Sequence, residues 1–131
     1  MYFNESAFEM LEKKIRNSNG PDRHEDLETV KDIMVSLFAY VETVVQGETD
    51  VRMRDEGTDG QEYRNLISAY DAKRHSRHEM ALSSTKLLNR LAAAYGVESV
   101  FTGDETQRHQ IADFCLEFSS WLFKNRMRKL S

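Results

Sequence analysis

The sequence predicts an all-α fold, a four-helix bundle-like domain with two long antiparallel helices and two shorter ones. Apolar residues recur at spacings of three and four over long stretches, which is the pattern of amphipathic helices. The 131 residues include a single proline, Pro21, and few clusters of turn-forming residues. This length corresponds to one domain, residues 1–131.

The first helix is predicted over residues 6–16 and ends at the turn-forming segment 17–21. Ser6 and Glu9 have the spacing of a capping box, in which two side chains satisfy open amides of the first turn. The apolar face of this helix consists of Ala7, Phe8, Leu11 and Ile15.

The second helix is predicted to begin at Asp22, where Glu25 completes a similar capping pattern. We expect it to continue through Gly47 to about Glu56, because one glycine inside a helix costs only about 1 kcal/mol. Its apolar face is formed by Leu27, Val30, Ile33, Met34, Leu37, Phe38, Val41, Val44 and Val45.

Thr58 and Gln61 predict the start of the third helix, and Gly96 suits the left-handed residue that closes many helices. The connector 97–101 is apolar enough to pack on the core, and Thr102 with Glu105 predicts the start of the fourth helix. Short turns favour an antiparallel arrangement of neighbours. The fourth helix has an unusually wide apolar surface, made of Ile111, Phe114, Cys115, Leu116, Phe118, Trp121, Leu122 and Phe123.

The apolar pattern of the third helix is interrupted in its middle by cationic and polar side chains. At about 100° per residue, Arg74 lies within the stripe, Arg77 and His78 lie beside its centre, and Asp71 lies at its edge. His75 is further round and is expected to be partly exposed. We therefore predict that Arg74 and His78 are buried.

A buried arginine needs a counter-charge, because an unpaired buried charge is strongly unfavourable. In a hairpin that turns near residues 57–60, facing residue numbers sum to about 117. Glu48 interrupts the apolar face of the second helix and lies at the level of Tyr70. We predict that Glu48 contacts Arg74, with Asp71 and the Tyr70 hydroxyl as further partners.

Three interpretations of this group stay open. It is either a structural polar layer that fixes the helix register, or a site for a carboxylate or phosphate bound by Arg74, Arg77 and His78. The third interpretation is a metal site, since Asp71, His75 and His78 share one side of the helix. Matching ligands on a second helix are not found and the nearby cations repel a divalent ion, so no metal and no cofactor are expected.

The sequence offers no catalytic residues. Cys115 falls on an apolar face and resembles a small core residue more than a reactive thiol. A single cysteine also excludes an internal disulfide, and the N-terminal residues lack the pattern of a secretory signal. We expect a cytoplasmic protein.

Charge and hydropathy argue against two classes of partner. A net charge of −4 gives no bulk attraction to nucleic acid or to an anionic membrane. The basic run 124–129 ends the fourth helix, where cations complement the helix dipole. No stretch has the length needed to span a bilayer.

Several short motifs resemble a bacterial family of small all-helical proteins of unknown function. They are Tyr70-Asp71-x-x-Arg74-x-x-Arg77-His78, Leu88-Asn89-Arg90-Leu91, Tyr95-Gly96 and Ile111-Ala112-Asp113-Phe114. The resemblance covers about the C-terminal two-thirds of the chain and leaves out the N-terminal helix. It implies a bacterial cytoplasmic protein and brings no activity or ligand.

The sequence therefore favours a non-enzymatic helical bundle that acts by association with itself, as a homodimer, or with another protein. Four methionines lie outside the apolar faces of the predicted helices, and the fourth helix is apolar on more than one side. A bundle of four helices therefore leaves apolar surface uncovered. These methionines are Met10, Met53, Met80 and Met127. The alternative is a regulatory domain that binds a small anion at Arg74, Arg77 and His78.

Overall fold

The computed structural model describes the backbone of residues 1–55 and 60–130 and the side chains of residues 1–45, 65 and 68–126. Within these residues the chain forms an all-α fold with two long and two shorter helices, which confirms the predicted class. The helices are α1 (Glu5–Arg16), α2 (Arg23–Asp55), α3 (Gly60–Ala94) and α4 (Arg108–Leu130).

The two long helices α2 and α3 pack against each other in antiparallel directions. Near one end of this seam the Tyr95 hydroxyl donates a hydrogen bond to Oδ2 of Asp26 at 2.5 Å. Further along, the rings of Tyr40 and His78 meet edge to face with their centroids 5.6 Å apart. Tyr40 and His78 have numbers that sum to 118, so the predicted register is confirmed at this level.

Helix α4 covers the α2–α3 pair and runs antiparallel to α2. Phe38 contacts Phe118, whereas the later α2 residues Val41 and Val44 share a groove with the earlier α4 residue Ala112. At its start, α4 reaches only to the level of His75, because Nη2 of Arg108 lies 2.6 Å from Nδ1 of that histidine.

The N-terminal segment and α1 close one end of this bundle around a group of aromatic rings. Phe3 forms an isolated antiparallel bridge with Phe101. The ring of Phe3 contacts the rings of Phe8, Phe118 and Trp121 at centroid distances of 6.2, 5.3 and 5.4 Å, mostly edge to face. Such pairs stabilise beyond the apolar area that they bury.

Asn89 of α3 holds the connector between α3 and α4. Its Oδ1 accepts hydrogen bonds from the amides of Val100 and Phe101, at 2.9 and 3.0 Å, and its Nδ2 donates to the Phe101 carbonyl at 2.9 Å. One side chain thereby satisfies three backbone groups beside two buried residues. The expectation that residues 97–101 pack on the core is confirmed for Val100 and Phe101.

Two predicted helix starts are wrong. The residue that caps α1 is Asn4, whose Oδ1 accepts from the Ala7 amide at 3.1 Å, so Ser6 already lies inside the helix. Thr102 does not start α4, because its amide donates to the Tyr2 carbonyl at 2.9 Å and thus extends the bridge to the N-terminal segment. A turn follows, and the helix begins at Arg108.

Other predicted boundaries agree with the structure. Helix α2 passes through Gly47 to Asp55, and Gly96 after α3 has a φ of 70°, in the left-handed region. Thr58 and Glu56 lie outside the described residues. All four predicted face residues of α1 are buried, but Phe38 and Val45 of the predicted α2 face are 38% and 54% exposed.

Candidate functional site

Polar residues that interrupt the apolar pattern of α3 lie, in the described part of the chain, where α2, α3 and the start of α4 meet. We call this site the polar cluster and define it as Tyr40, Arg74, His75, His78 and Arg108. The edge-to-face contact of Tyr40 with His78 joins α2 to α3, and the contact of Arg108 with His75 joins α4 to α3. The middle of α3, where the apolar pattern is interrupted, is therefore a meeting point of three helices.

His78 is buried as predicted, with 4% of its surface exposed, but Arg74 is exposed and its predicted burial is wrong. The reason is that α4 begins only at Arg108, beside His75, and therefore does not cover Arg74. The guanidinium of Arg74 approaches the hydroxyl of Tyr40 from α2. An exposed guanidinium does not require the buried counter-charge that the sequence argument assumed.

The remaining predicted site residues do not gather around His78. Asp71 is exposed, Tyr70 is half-buried, and Arg77 is half-buried on the far flank of α3, about 160° around the helix from His75. The side chain of Glu48 lies outside the described residues, so its contact with Arg74 stays a prediction.

Sequence reasoning missed Tyr40 and Arg108 and treated His75 only as a metal candidate. Tyr40 interrupts no pattern, since a tyrosine on an apolar face is an ordinary core residue. Arg108 was placed inside a helix that was expected to begin near Thr102. Only the true start of α4 brings it to the first turn, beside His75.

The electrostatics of the cluster disfavour additional positive charge. Burial lowers the pKa of His78, and the charges of Arg108, His75 and Arg74 lower it further, whereas Glu79 acts in the opposite direction. His78 is therefore neutral at pH 7. Its Nδ1 is buried and has no hydrogen-bond partner among the described residues.

Tyr40 completes the buried side of the cluster. Burial raises the pKa of its hydroxyl, and the charge of Arg74 and its hydrogen bond to that hydroxyl act against the rise. Tyr40 therefore stays protonated at neutral pH and can donate a hydrogen bond.

Thiol chemistry at Cys115 and metal binding are the two other candidate chemistries. The thiol of Cys115 is fully buried, and burial raises its pKa to about 12, so this thiol is a core group at neutral pH. Among the residues that the structure describes, no group of three or more His, Cys, Asp and Glu side chains is placed to hold a metal ion.

A second feature is an exposed apolar surface along α2 and α4. We call it the α2–α4 face, and it consists of Val35, Phe38, Val45, Leu116 and Phe123. Their exposed fractions run from 38% for Phe38 to 67% for Val35 and Phe123. Between the two helices lies a shallow apolar groove lined by Tyr40, Val41, Val44, Ala112, Cys115 and Leu116. The expectation that Leu116 and Phe123 widen the apolar surface of the fourth helix is confirmed.

Part of the basic run near the C-terminus is neutralised within the fold. Nη2 of Arg126 lies 2.9 and 2.7 Å from the two carboxylate oxygens of Glu12 on α1. This ion pair ties the end of α4 to α1. In the described part of the chain, none of the helices is both long and apolar enough to cross a membrane.

Comparison with known proteins gives a match to a family profile. The profile of a family described as "Protein of unknown function (DUF3232)" matches residues 4–128. No curated protein and no solved structure gives a significant match. The expected resemblance to a family of unknown function is confirmed, and it extends further than predicted, because the match includes α1. The chain therefore belongs to the DUF3232 family of proteins of unknown function.

Proposed function

We propose that this protein is a non-enzymatic association domain in which two copies dock through their α2–α4 faces. The observation that carries the proposal is the exposure of large apolar side chains on two neighbouring helices. Exposed apolar side chains on two neighbouring helices are a common mark of an interaction site.

The occupant proposed for this face is a second copy of the chain, because the charges around its centre are self-complementary. On α2 the exposed residues Lys31 and Glu42 flank the apolar pair Val35 and Phe38. Both pairs have the same midpoint, between residues 36 and 37. A two-fold axis at that midpoint, with the two α2 helices antiparallel, brings Lys31 of each copy opposite Glu42 of the other.

The same axis places Val35 of each copy beside Phe38 of the other, so the apolar centre is also self-complementary. Leu116 and Phe123 on α4 flank this centre and extend the apolar area. Lys31 already lies 3.4 Å from Glu28 within its own helix, an exposed contact of small energetic value that leaves it available to a second acid.

Size measurement with a matched pair of variants tests the proposal. Phe38→Glu places a charge in the centre of the face, and we expect it to convert the dimer to a monomer in sedimentation velocity. Leu87→Glu is the control, because Leu87 is similarly exposed, at 42%, but lies on α3 outside the face. A wild-type monomer at about 100 μM, where specific interfaces are occupied, contradicts the proposal.

We further propose that the protein works in the bacterial cytoplasm. The motif resemblance supports the bacterial origin. A single cysteine, buried as a core residue, supports a compartment that does not require disulfides.

A further inference from the structure

The polar cluster concentrates basic side chains from two helices, and no acidic side chain among the described residues forms an ion pair with them. Arg74, His75 and His78 of α3 lie on the side that faces the start of α4, where Arg108 lies 2.6 Å from His75. A guanidinium nitrogen can only donate, so in this contact Arg108 donates and Nδ1 of His75 accepts. Both arginine side chains are exposed and can reach a ligand from solvent.

The described acidic side chains near the cluster do not pair with its cations. In the described part of the chain, every ion pair joins charged groups outside the cluster. Glu105 in the loop before α4 is paired with Lys86, and Asp104 accepts two hydrogen bonds from Thr106. Asp71 is exposed and forms no ion pair among the described residues. Among the described side chains, the cluster therefore has an excess of positive charge in a protein of net charge −4.

His78 gives an independent indication of a ligand. It is 4% exposed, its Nδ1 has no hydrogen-bond partner among the described residues, and Arg108 is the charge that acts on it most strongly. A buried polar atom without a partner is costly, and in native proteins it commonly marks a functional group or an unseen ligand. The first turn of the 23-residue helix α4 adds the positive end of a helix dipole at the same place.

We propose that the polar cluster binds a phosphoryl group, with Arg74 and Arg108 holding its oxygens from the solvent side. His75 and His78 contribute imidazole N–H donors, and the Tyr40 hydroxyl donates from α2. Guanidinium groups match tetrahedral oxyanions in both charge and hydrogen-bond geometry. The site differs from the sequence-based candidate, because Arg108, His75 and Tyr40 replace Arg77, and it shares no residue with the α2–α4 face.

An anion bound at this position favours the protonated form of His78, which the surrounding cations disfavour. The groups that face it are Arg74, His75 and Glu79 on α3, Arg108 on α4 and the protonated Tyr40 on α2. A bound dianion offsets the cations, so the pKa of His78 rises on binding. By linkage, affinity increases as the pH falls below the ordinary histidine value of about 6.5.

The test is an NMR titration of the full chain with inorganic phosphate at constant ionic strength, chloride being the reference anion. We expect saturable shifts of the His75 and His78 ring signals, and at least a tenfold weaker affinity for Arg108→Gln. Arg90→Gln is the matched control, because Arg90 is an exposed arginine of α3 outside the cluster. A phosphate monoester is titrated in parallel. The probe that binds more tightly shows whether the site prefers free phosphate or an esterified phosphoryl group.

Sulfate serves for the pH profile, since it stays a dianion over the whole range. We expect it to raise the pKa of His78, and the ring signals of His24, in the first turn of α2, serve as the reference for effects outside the cluster. Three outcomes would overturn the proposal. Chloride would cause the same signal shifts as phosphate, both arginine variants would weaken binding equally, or sulfate would not raise the pKa of His78. None of these outcomes depends on dimer formation.

Discussion

The two ends of the described bundle are built in opposite ways. Where α1, the connector and the later part of α4 meet, aromatic rings pack edge to face, and Asn89 satisfies the backbone groups beside them. Where α2, α3 and the start of α4 meet, His78 is buried with an unpartnered Nδ1, and the arginines beside it form no ion pair among the described residues. The comparison indicates that packing at the aromatic end stabilises the fold, whereas the unpartnered Nδ1 of His78 costs stability at the polar end.

The largest expected effect is at the aromatic end. Phe8 is fully buried and contacts the rings of Phe118 and Trp121 at 5.0 and 5.8 Å. We expect Phe8→Ala to lower the free energy of unfolding by about 3–5 kcal/mol, because it removes apolar contacts and leaves a cavity. Urea denaturation measures this, with Leu87→Ala on α3 as the exposed control. A loss below about 1 kcal/mol would place the main source of stability elsewhere.

The next effect is at Asn89. We expect Asn89→Ala to lower the free energy of unfolding by about 2–3 kcal/mol, since the amides of Val100 and Phe101 lose their acceptor in a partly buried site. Asn125→Ala is the control, because its Nδ2 bonds only the Trp121 carbonyl on the exposed side of α4. Equal effects of the two substitutions would show that the connector is held by packing alone.

At the polar end we expect a substitution to stabilise the fold at low pH rather than to destabilise it. Folding lowers the pKa of His78, so the unfolded chain takes up the proton more readily and stability falls as the pH drops below about 6.5. We expect His78→Phe to raise the free energy of unfolding at pH 5 by about 1–2 kcal/mol, because it removes an unpartnered buried group. Thermal melts from pH 5 to 8 measure this, and His24→Phe is the control. A variant that keeps the acid sensitivity of the wild type would assign that sensitivity to other groups.

The smallest expected effect is at Cys115, beside the apolar groove. Its pKa of about 12 leaves on the order of a thousandfold less thiolate at pH 7 than a free cysteine has. We expect a thiol reagent to react with the native chain only at the rate of unfolding. Rapid modification without denaturant would mean that the groove opens readily.

The aromatic end was more predictable from sequence than the polar end. The spacing of Phe8 and its neighbours on α1 identified buried residues correctly, because helical periodicity and burial are directly related. The predicted register, in which facing residue numbers sum to about 117, also agrees with the contact of Tyr40 with His78. Both inferences depend on one helix or one hairpin, where sequence distance determines spatial distance.

The errors come from contacts between distant parts of the chain. Thr102 resembles a helix cap, but the N-terminal segment pairs with it, and α4 therefore begins later than predicted. That shift places Arg108 beside His75 and leaves Arg74 exposed. Asn89 gave no periodic signal, because its role depends on a connector that returns to α3. Local patterns do not contain these pairings.

The proposed dimer is tested most directly by a charge-reversal cycle on α2. In sedimentation equilibrium we expect Lys31→Glu and Glu42→Lys each to weaken dimerisation about tenfold or more, because like charges then face each other across the two-fold axis. The double variant restores both opposite-charge pairs, so its dissociation constant returns to within about threefold of the wild-type value. A double variant as weakly associated as the single variants, or a wild-type protein that stays monomeric, would contradict docking of a second copy at this face.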